Sequence, residues 1–532
     1  MTCVFLHAPC LVESDEMRND MFLDENTGVR IFLPLFLLIV FLTAYIDYTF
    51  VGAYSSDGIV DMNYAQLVWE QKTLFPSGWY STTEIFVNRP FFFPAFFYGV
   101  TGNFLLSYVL GIIAAGLLFS MITYQYLRFL EIDRAASFFG LCCFWGLFAT
   151  WLYHFVFQAY YYSGVFSVII LTLWAYQSKK KILRYMTLLS AFMFGLASLR
   201  MVIFLYLPLL LMEIIHIVNN RNEINVNLKN LLYPLGLLSC NVFGYMVLCH
   251  VVKKHFAVFW GTAHIEFYQS AQDVFKAMIS TIERIMDALQ LTDPIMIVIV
   301  VMAILGTIYC TITSKLTLKC KQAIFFFCLS EAFVFVSSCL LNGLSSELTQ
   351  RYHISVTFLI TFMLIFLFNN MLKQHMRATI AAALSILIYG IGSNQGLIMY
   401  PEHFTNNKQA EFLAEYYTYT SCEMMVADYL RQSNVGRAYA TYWNAEPLKL
   451  YSNGSIETGH FNSDLAPFLW GTEKRLYEQG EYNDTVAIVV RTDELEQFSD
   501  RGKTILQSGK LMNNIGGKYL VYFFDENPIL IR

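Results

Sequence analysis

The sequence is poor in charge. Of its 532 residues only 14% are Asp, Glu, Lys or Arg and 56% are hydrophobic, whereas a soluble domain carries about 25% charged residues. So apolar a chain reads as an integral membrane protein. An excess of positive charge is also lacking. The net charge of −5 is small and spread out, which leaves no basic stripe for a nucleic acid. The eleven cysteines form no framework: there is no CxxC pair and no zinc spacing, and Cys142 and Cys143 are adjacent within an apolar run. Only Cys422 falls in the large polar segment, which therefore has no internal disulfide. They are small apolar packing residues. The amino terminus lacks a basic region, an apolar core and a small-residue cleavage site, so it is not read as a signal peptide. Internal repeats and low-complexity tracts are missing as well.

What the sequence has is apolar runs. A span needs about 20 mostly apolar residues. Runs at 31–50, 104–126, 135–153, 164–176, 185–199, 201–217, 231–252, 295–312, 322–341, 354–372 and 378–391 give about eleven spans, the fifth and sixth being short. Lys and Arg in short loops set orientation. Lys179, Lys180, Lys181 and Arg184 share one connection, Lys315, Lys319 and Lys321 another, and Lys373 and Arg377 a third. All are cytoplasmic if residues 1–30 form a cytoplasmic tail. The membrane module is then 31–391, with 51–103 and 253–294 as extracytoplasmic loops and 392–532 as an extracytoplasmic domain. In 253–294, Val274, Met278, Ile282, Ile285, Met286 and Leu289 recur at helical spacing and predict an interfacial amphipathic helix. The last segment reads as mixed α/β: a helix over 408–433 and strands in GRAYATYW, LKLYS, TVAIVVRT and KYLVYFF, broken by Asn-Gly and Gly-Gly signals. Asn453 and Asn483 fit the glycosylation pattern, which also arises often by chance.

The stretch 51–103 is too polar to span and too aromatic for a plain loop. It holds Asp57, Asp61, Glu70, Glu84 and Arg89. Ser56 or Asp57 is placed to cap a helix over 59–72, with Asp57 and Asp61 one turn apart. A carboxylate at the mouth of a dry cavity is suited to general-base work, because burial raises its pKa toward the working pH. Arg89, among aromatic residues, reads first as an interfacial anchor. Ionisable groups at membrane depth are functional candidates by default. By this topology His154, Arg200, Glu347 and Arg351 stand level with the first loop, while Glu331 lies mid-span. The planar fork of Arg suits Arg200 and Arg351 to a phosphate-bearing ligand. His264 and Glu266 stand in the second loop as further candidates.

This layout resembles the GT-C superfamily of integral membrane glycosyltransferases, including the protein O-mannosyltransferase and aminoarabinose-transferase kinds. SSDGIVDMNYAQLVWEQ stands where that superfamily carries an acidic residue soon after the first span, with TEIFVNRPFFFPAFF following. GLASLRMVIFLYLPLLL is similar to its paired short spans with a basic residue between them, and ELTQRYHISVTFLI to its Arg-Tyr ahead of a late span. The usual adjacent acidic pair is absent, since Gly58 follows Asp57. This leaves the choice between Asp57 and Asp61 open. The resemblance implies a polytopic α-helical membrane protein with a C-terminal extracytoplasmic α/β domain. It implies a polyprenyl-phosphate-linked sugar as donor and a glycan, lipid or protein as acceptor, with transfer by inversion. Asp57 or Asp61 would be catalytic. Arg200, Arg351 and Arg89 would take the donor phosphate, with Glu84, His154, Glu266 and Tyr352 as further site candidates. No cofactor is dictated, although some relatives use a divalent cation, Mg or Mn, for which Asp57, Glu84 and Glu266 are at hand. The alternative is a transporter or flippase of a lipid-linked or anionic substrate; the repeated halves and matching broken helices of a transporter are not found.

Overall fold

The computed structural model describes residues 25–49, 56–82, 85–147, 162–219, 224–252, 257–258, 266–342, 353–399, 421–478 and 485–530. Each expected span coincides with helix over the part that is described. In chain order, α1 (Glu25–Thr49) is followed by the first-loop elements α2 (Ser56–Gln71), β1 (Trp79–Ser81) and α3 (Phe92–Thr101). Then come α4 (Phe104–Phe129), α5 (Arg134–Gly146), α6 (Ser163–Ser178), α7 (Lys181–Gly195), α8 (Leu207–Asn219) and α9 (Ile224–Val247). The second long connection holds β2 (Ala257–Val258), β3 (Glu266–Phe267) and α10 (Ala271–Ala288). α11 (Pro294–Ile312), α12 (Leu318–Leu340) with β4 (Leu341–Asn342), α13 (Ile354–Leu372) and α14 (Met376–Met399) complete the bundle. Among the described residues, seven helical segments are long and apolar enough to cross a membrane, and the protein is a multi-pass membrane protein. The third expected span is described only as far as residue 147.

Burial follows composition. α13 is apolar on every side and is the central helix, with 83% of its apolar window buried, as expected for a helix without a polar face. Its Phe358 ring stacks on Phe166 at 4.1 Å and lies 4.9 Å from Phe144, and Phe362 stacks on Phe327 at 5.1 Å. In contrast, α11 is the most apolar of the seven yet has only a third of its window buried, so most of its side chains face outward. α10 is the expected amphipathic helix. Ser270 caps it by accepting from the Asp273 amide at 3.1 Å. Its buried face is Ala277, Thr281, Arg284 and Ala288, and Phe275, Ile279, Ile282 and Met286 are exposed. The apolar stripe of such a helix suits the bilayer interface.

The C-terminal domain opens, among described residues, with helix over 421–432. It continues through β5 (Arg437–Ala440), α15 (Tyr442–Tyr451), β6 (Glu457–His460), β7 (Thr472–Glu473), β8 (Val486–Arg491), α16 (Asp500–Ser508), β9 (Lys510–Ile515) and β10 (Tyr519–Phe524). Five strands form one sheet in the order β6-β5-β8-β10-β9. β5 runs parallel to β6 and β8, and β10 is antiparallel to β8 and β9. The Asn453-Gly454 turn has positive φ at both residues, as that dipeptide favours. LKLYS is not a strand. It lies in α15, whose residues from Asn444 to Leu450 are all buried. A helix covered on all sides shows no 3.6-residue period, and the alternation of Leu448 and Leu450 imitates a strand.

Candidate functional site

The first loop, between α1 and α4, is built around α2. The helix begins at Ser56, which places Asp57 in its first turn and Asp61 one turn further. A carboxylate in a first helical turn is favoured by the exposed amides and the macrodipole. Asp61 is fully buried and ion-paired with Arg89, itself 5% exposed. The Arg89 guanidinium lies 4.0 Å from the centre of the Phe86 ring. Aromatic side chains fix this geometry. Tyr64 has edge contacts with Trp79, Phe86 and Phe91 at 5.1 to 5.5 Å, and its hydroxyl donates to the Leu74 carbonyl at 2.6 Å. The loop is therefore a folded unit with a charged pair in its interior.

Three other parts of the chain converge on this unit. Ile85 packs with Leu196 and Leu248, at the end of α7 and beyond α9. Just past Leu196 the chain breaks and resumes as helix at Arg200, which is half-buried, followed by a π-helical turn over Val202–Tyr206. Such turns are rare and often mark functional sites. The Phe204 carbonyl in that turn accepts from Ser330 of α12 at 2.7 Å. The neighbouring Glu331 binds His353 at 2.7 Å through Oε1 and accepts from Ser355 through Oε2. Glu331 thus finds its partners at the start of α13, two residues beyond Arg351. The first loop, the Arg200 break and the amino-terminal end of α13 stand at one end of the bundle. The connections rich in Lys and Arg stand at the other.

The C-terminal domain closes over the same end. β1 pairs in parallel with β2 and antiparallel with β7, joining the first loop, the second loop and the domain in one small sheet. α15 lies against α2. Between them runs a buried polar chain: Asn63 Nδ2 donates to Glu446 Oε2 at 2.5 Å, and Glu446 Oε1 meets His460 Nε2 at 2.6 Å. The other His460 nitrogen, Nδ1, faces the Trp470 carbonyl at 3.1 Å and so carries a hydrogen. At Gly471, φ is +58° and a Cβ would stand 2.6 Å from Val60 of α2, so only glycine suits the contact.

The expected site residues divide into three groups. The structure brings Asp57, Asp61, Arg89 and Arg200 to one end. Glu266 is exposed on β3, which pairs with β4 at the end of α12. Glu84, His154, Arg351 and Tyr352 lie outside the described residues. Among the described residues, no group of three or more His, Cys, Asp or Glu is placed to hold a metal ion. Sequence reasoning passed over Asn63, Glu446, His460 and His353, and also Asp47, which is buried near the end of α1. Only Asp47 gave a signal, as a carboxylate inside an apolar run.

A loop helix with carboxylates in its first two turns, set over a helical membrane bundle and clamped by an α/β domain, defines the architectural class of this chain. No family model matches the sequence, and no curated protein does. Among solved structures, the chain is similar to the crystal structure of ArnT from Cupriavidus metallidurans bound to undecaprenyl phosphate. The TM-score is 0.52 at 11% identity, over 95% of this chain and 99% of that one. The apo crystal structure of ArnT from the same organism aligns with a TM-score of 0.44 at 12% identity, over 92% and 97%. The first likeness is one of fold: a polytopic helical bundle followed by an α/β domain, as the layout of spans and loops leads one to expect.

Proposed function

We propose that this protein is a membrane glycosyltransferase that moves a sugar from a polyprenyl-phosphate donor to an acceptor at the extracytoplasmic face, with inversion. The observation that carries the reading is the gathering of the α2 carboxylates, the Arg200 break and the start of α13 under one domain. It is supported by a fold shared with a protein crystallised with undecaprenyl phosphate. A lipid donor would enter sideways between helices. Arg200, and Arg351 just ahead of α13, would hold its phosphate through charge-assisted hydrogen bonds. Asp57 would take the proton of the acceptor hydroxyl as its oxygen attacks the anomeric carbon. The bond from that carbon to the phosphate oxygen breaks on the opposite side, which inverts the centre. The leaving group is a phosphate, already a weak base, so no general acid is required. The arginines stabilise its growing charge. Asp61 is enclosed by Arg89, so both are assigned to holding α2 in place. No step is assigned to a cation.

The test rests on Asp57. Within the first turn, Asp57→Asn forfeits only a helix-dipole contribution of about 0.3–1 kcal/mol to stability, and leaves the rate unchanged if Asp57 only supports the helix. As a general base its loss lowers the rate by about 10² to 10⁴. The assay is sugar transfer from a polyprenyl-phosphate donor by purified protein, with melting matched to the parent. Normal transfer by Asp57→Asn would sink the mechanism.

A further inference from the structure

At the opposite, Lys- and Arg-rich end of the bundle lies an open cleft whose cavity volume is about 90 Å³. It is separate from the site described above. Its lining includes Tyr176, Lys179, Arg184, Glu213 and Asn230, from α6, α7, α8, α9 and the α6–α7 connection. Glu213 is 2% exposed. Its Oε2 accepts from the Tyr176 hydroxyl, but its Oε1 is buried and has no hydrogen-bond partner. Arg184 stacks over the Tyr233 ring at 4.7 Å, and its buried Nε donates to no acceptor. Tyr233 is itself held by Thr187 at 2.7 Å.

An arginine and a glutamate thus line one cleft without pairing with each other. A buried carboxylate oxygen and a buried guanidinium nitrogen are costly when left unsatisfied. Both are satisfied by a ligand that carries an anion and a cation a few bonds apart. A plain phosphate would meet Glu213 as a like charge, and a plain amine would meet Arg184 and Lys179. The helices that carry the cleft also present exposed Ile182, Tyr185, Ile214 and Leu232, the apolar surface that acyl chains require. Basic pockets between membrane helices are recurrent headgroup sites.

We propose that this cleft binds the phosphoethanolamine headgroup of a membrane lipid. The phosphate is held by Arg184 and Lys179, and the ammonium by Glu213 Oε1. The inference does not depend on the transfer reaction.

The test uses the full-length protein in nanodiscs of phosphatidylglycerol with graded phosphatidylethanolamine. Retained lipid is counted by native mass spectrometry. One phosphatidylethanolamine should be retained at least about tenfold more tightly than phosphatidylglycerol, as expected for one added charge-assisted contact. Glu213→Gln keeps the shape and should abolish that preference. Arg184→Gln should weaken both lipids. Equal retention of the two lipids by the parent overturns the proposal without recourse to any variant. So does a preference that survives Glu213→Gln. Soluble phosphoethanolamine serves as the competing source. If it fills the cleft while the lipid is not retained, the ligand is not a lipid.

Discussion

Removal of Glu446 should loosen the first loop without touching a substrate. Its carboxylate links two buried groups, Asn63 on α2 and His460 on β6, at 2.5 and 2.6 Å. All three residues are at most 5% exposed. Glu446→Ala takes the acceptor from both neighbours at once. Truncating one member of a buried charged pair costs about 3–5 kcal/mol, because what remains is buried and unmatched. Glu446→Gln behaves differently. His460 Nδ1 already donates to Trp470, so a neutral imidazole leaves Nε2 able to accept from the new amide, whose oxygen still serves Asn63. That variant should cost less than about 1.5 kcal/mol, on the order of one hydrogen bond. The assay is hydrogen exchange of the amides of 56–71 in the full-length protein. A loss of about 3 kcal/mol in local stability raises exchange by roughly 10² where opening is local. A double-mutant cycle with Asn63→Ala separates the contact from general damage. Coupling above about 0.5 kcal/mol is expected for residues in contact. Unchanged exchange over 56–71 in Glu446→Ala, or additive effects in the cycle, would refute the clamp.

Three further outcomes are expected. Asp61→Ala strips the Arg89 guanidinium of a buried partner and should destabilise by about 3–5 kcal/mol, while Asp61→Leu with Arg89→Met should recover much of that loss; thermal melting of the three proteins decides. In the C-terminal domain, burial raises Glu423 from 4.5 to about 7, partly offset by the hydrogen bond from Tyr519. The native state then binds more protons than the unfolded state between those values, so stability falls by about 3 kcal/mol as pH rises from 4.5 to 7. Glu423→Gln should flatten that dependence of the melting temperature, and an unchanged slope would discount the burial. Finally, the charge bias of the loops puts the C-terminal domain outside. A cysteine at Gln507 should react with an impermeant reagent in intact cells and one at Lys180 should not; the reverse pattern overturns the orientation.

The fold was legible where one physical effect dominates. Long apolar runs bounded by Lys and Arg mark the bundle helices, since a bilayer imposes both signals, and α13 appears within two residues of its limits. The amphipathic α10 was legible because its face alternates between lipid and protein. The C-terminal domain was read less well. β8 and β10 are continuous apolar strands and stand out. α15 does not, because packing against both the sheet and α2 removes its period. β9 was missed for the opposite reason: most of its residues are exposed, so no burial pattern marks it.

The site divides along the same line. Arg200 stood out because charge is rare in an apolar run, and Asp57 because it follows the first span closely; the structure sets the helices that carry them at one end of the bundle. The pairings are another matter. Asn63 and Glu446 stand 383 residues apart, and each alone is an ordinary polar residue in a helix. Glu331 was visible as a charge in a span, but its partners His353 and Ser355 were not, since only packing brings α12 and α13 into register. A lone charge in an apolar run signals that some partner must exist, because leaving it unmatched is costly. It does not say which partner: for Asp61 the structure supplies Arg89, 28 residues on, as an ion-pair partner. On the proposed reading, two carboxylates one helical turn apart would then do different work: the one in the first turn would meet an acceptor, and the one in the second would hold the helix that carries it.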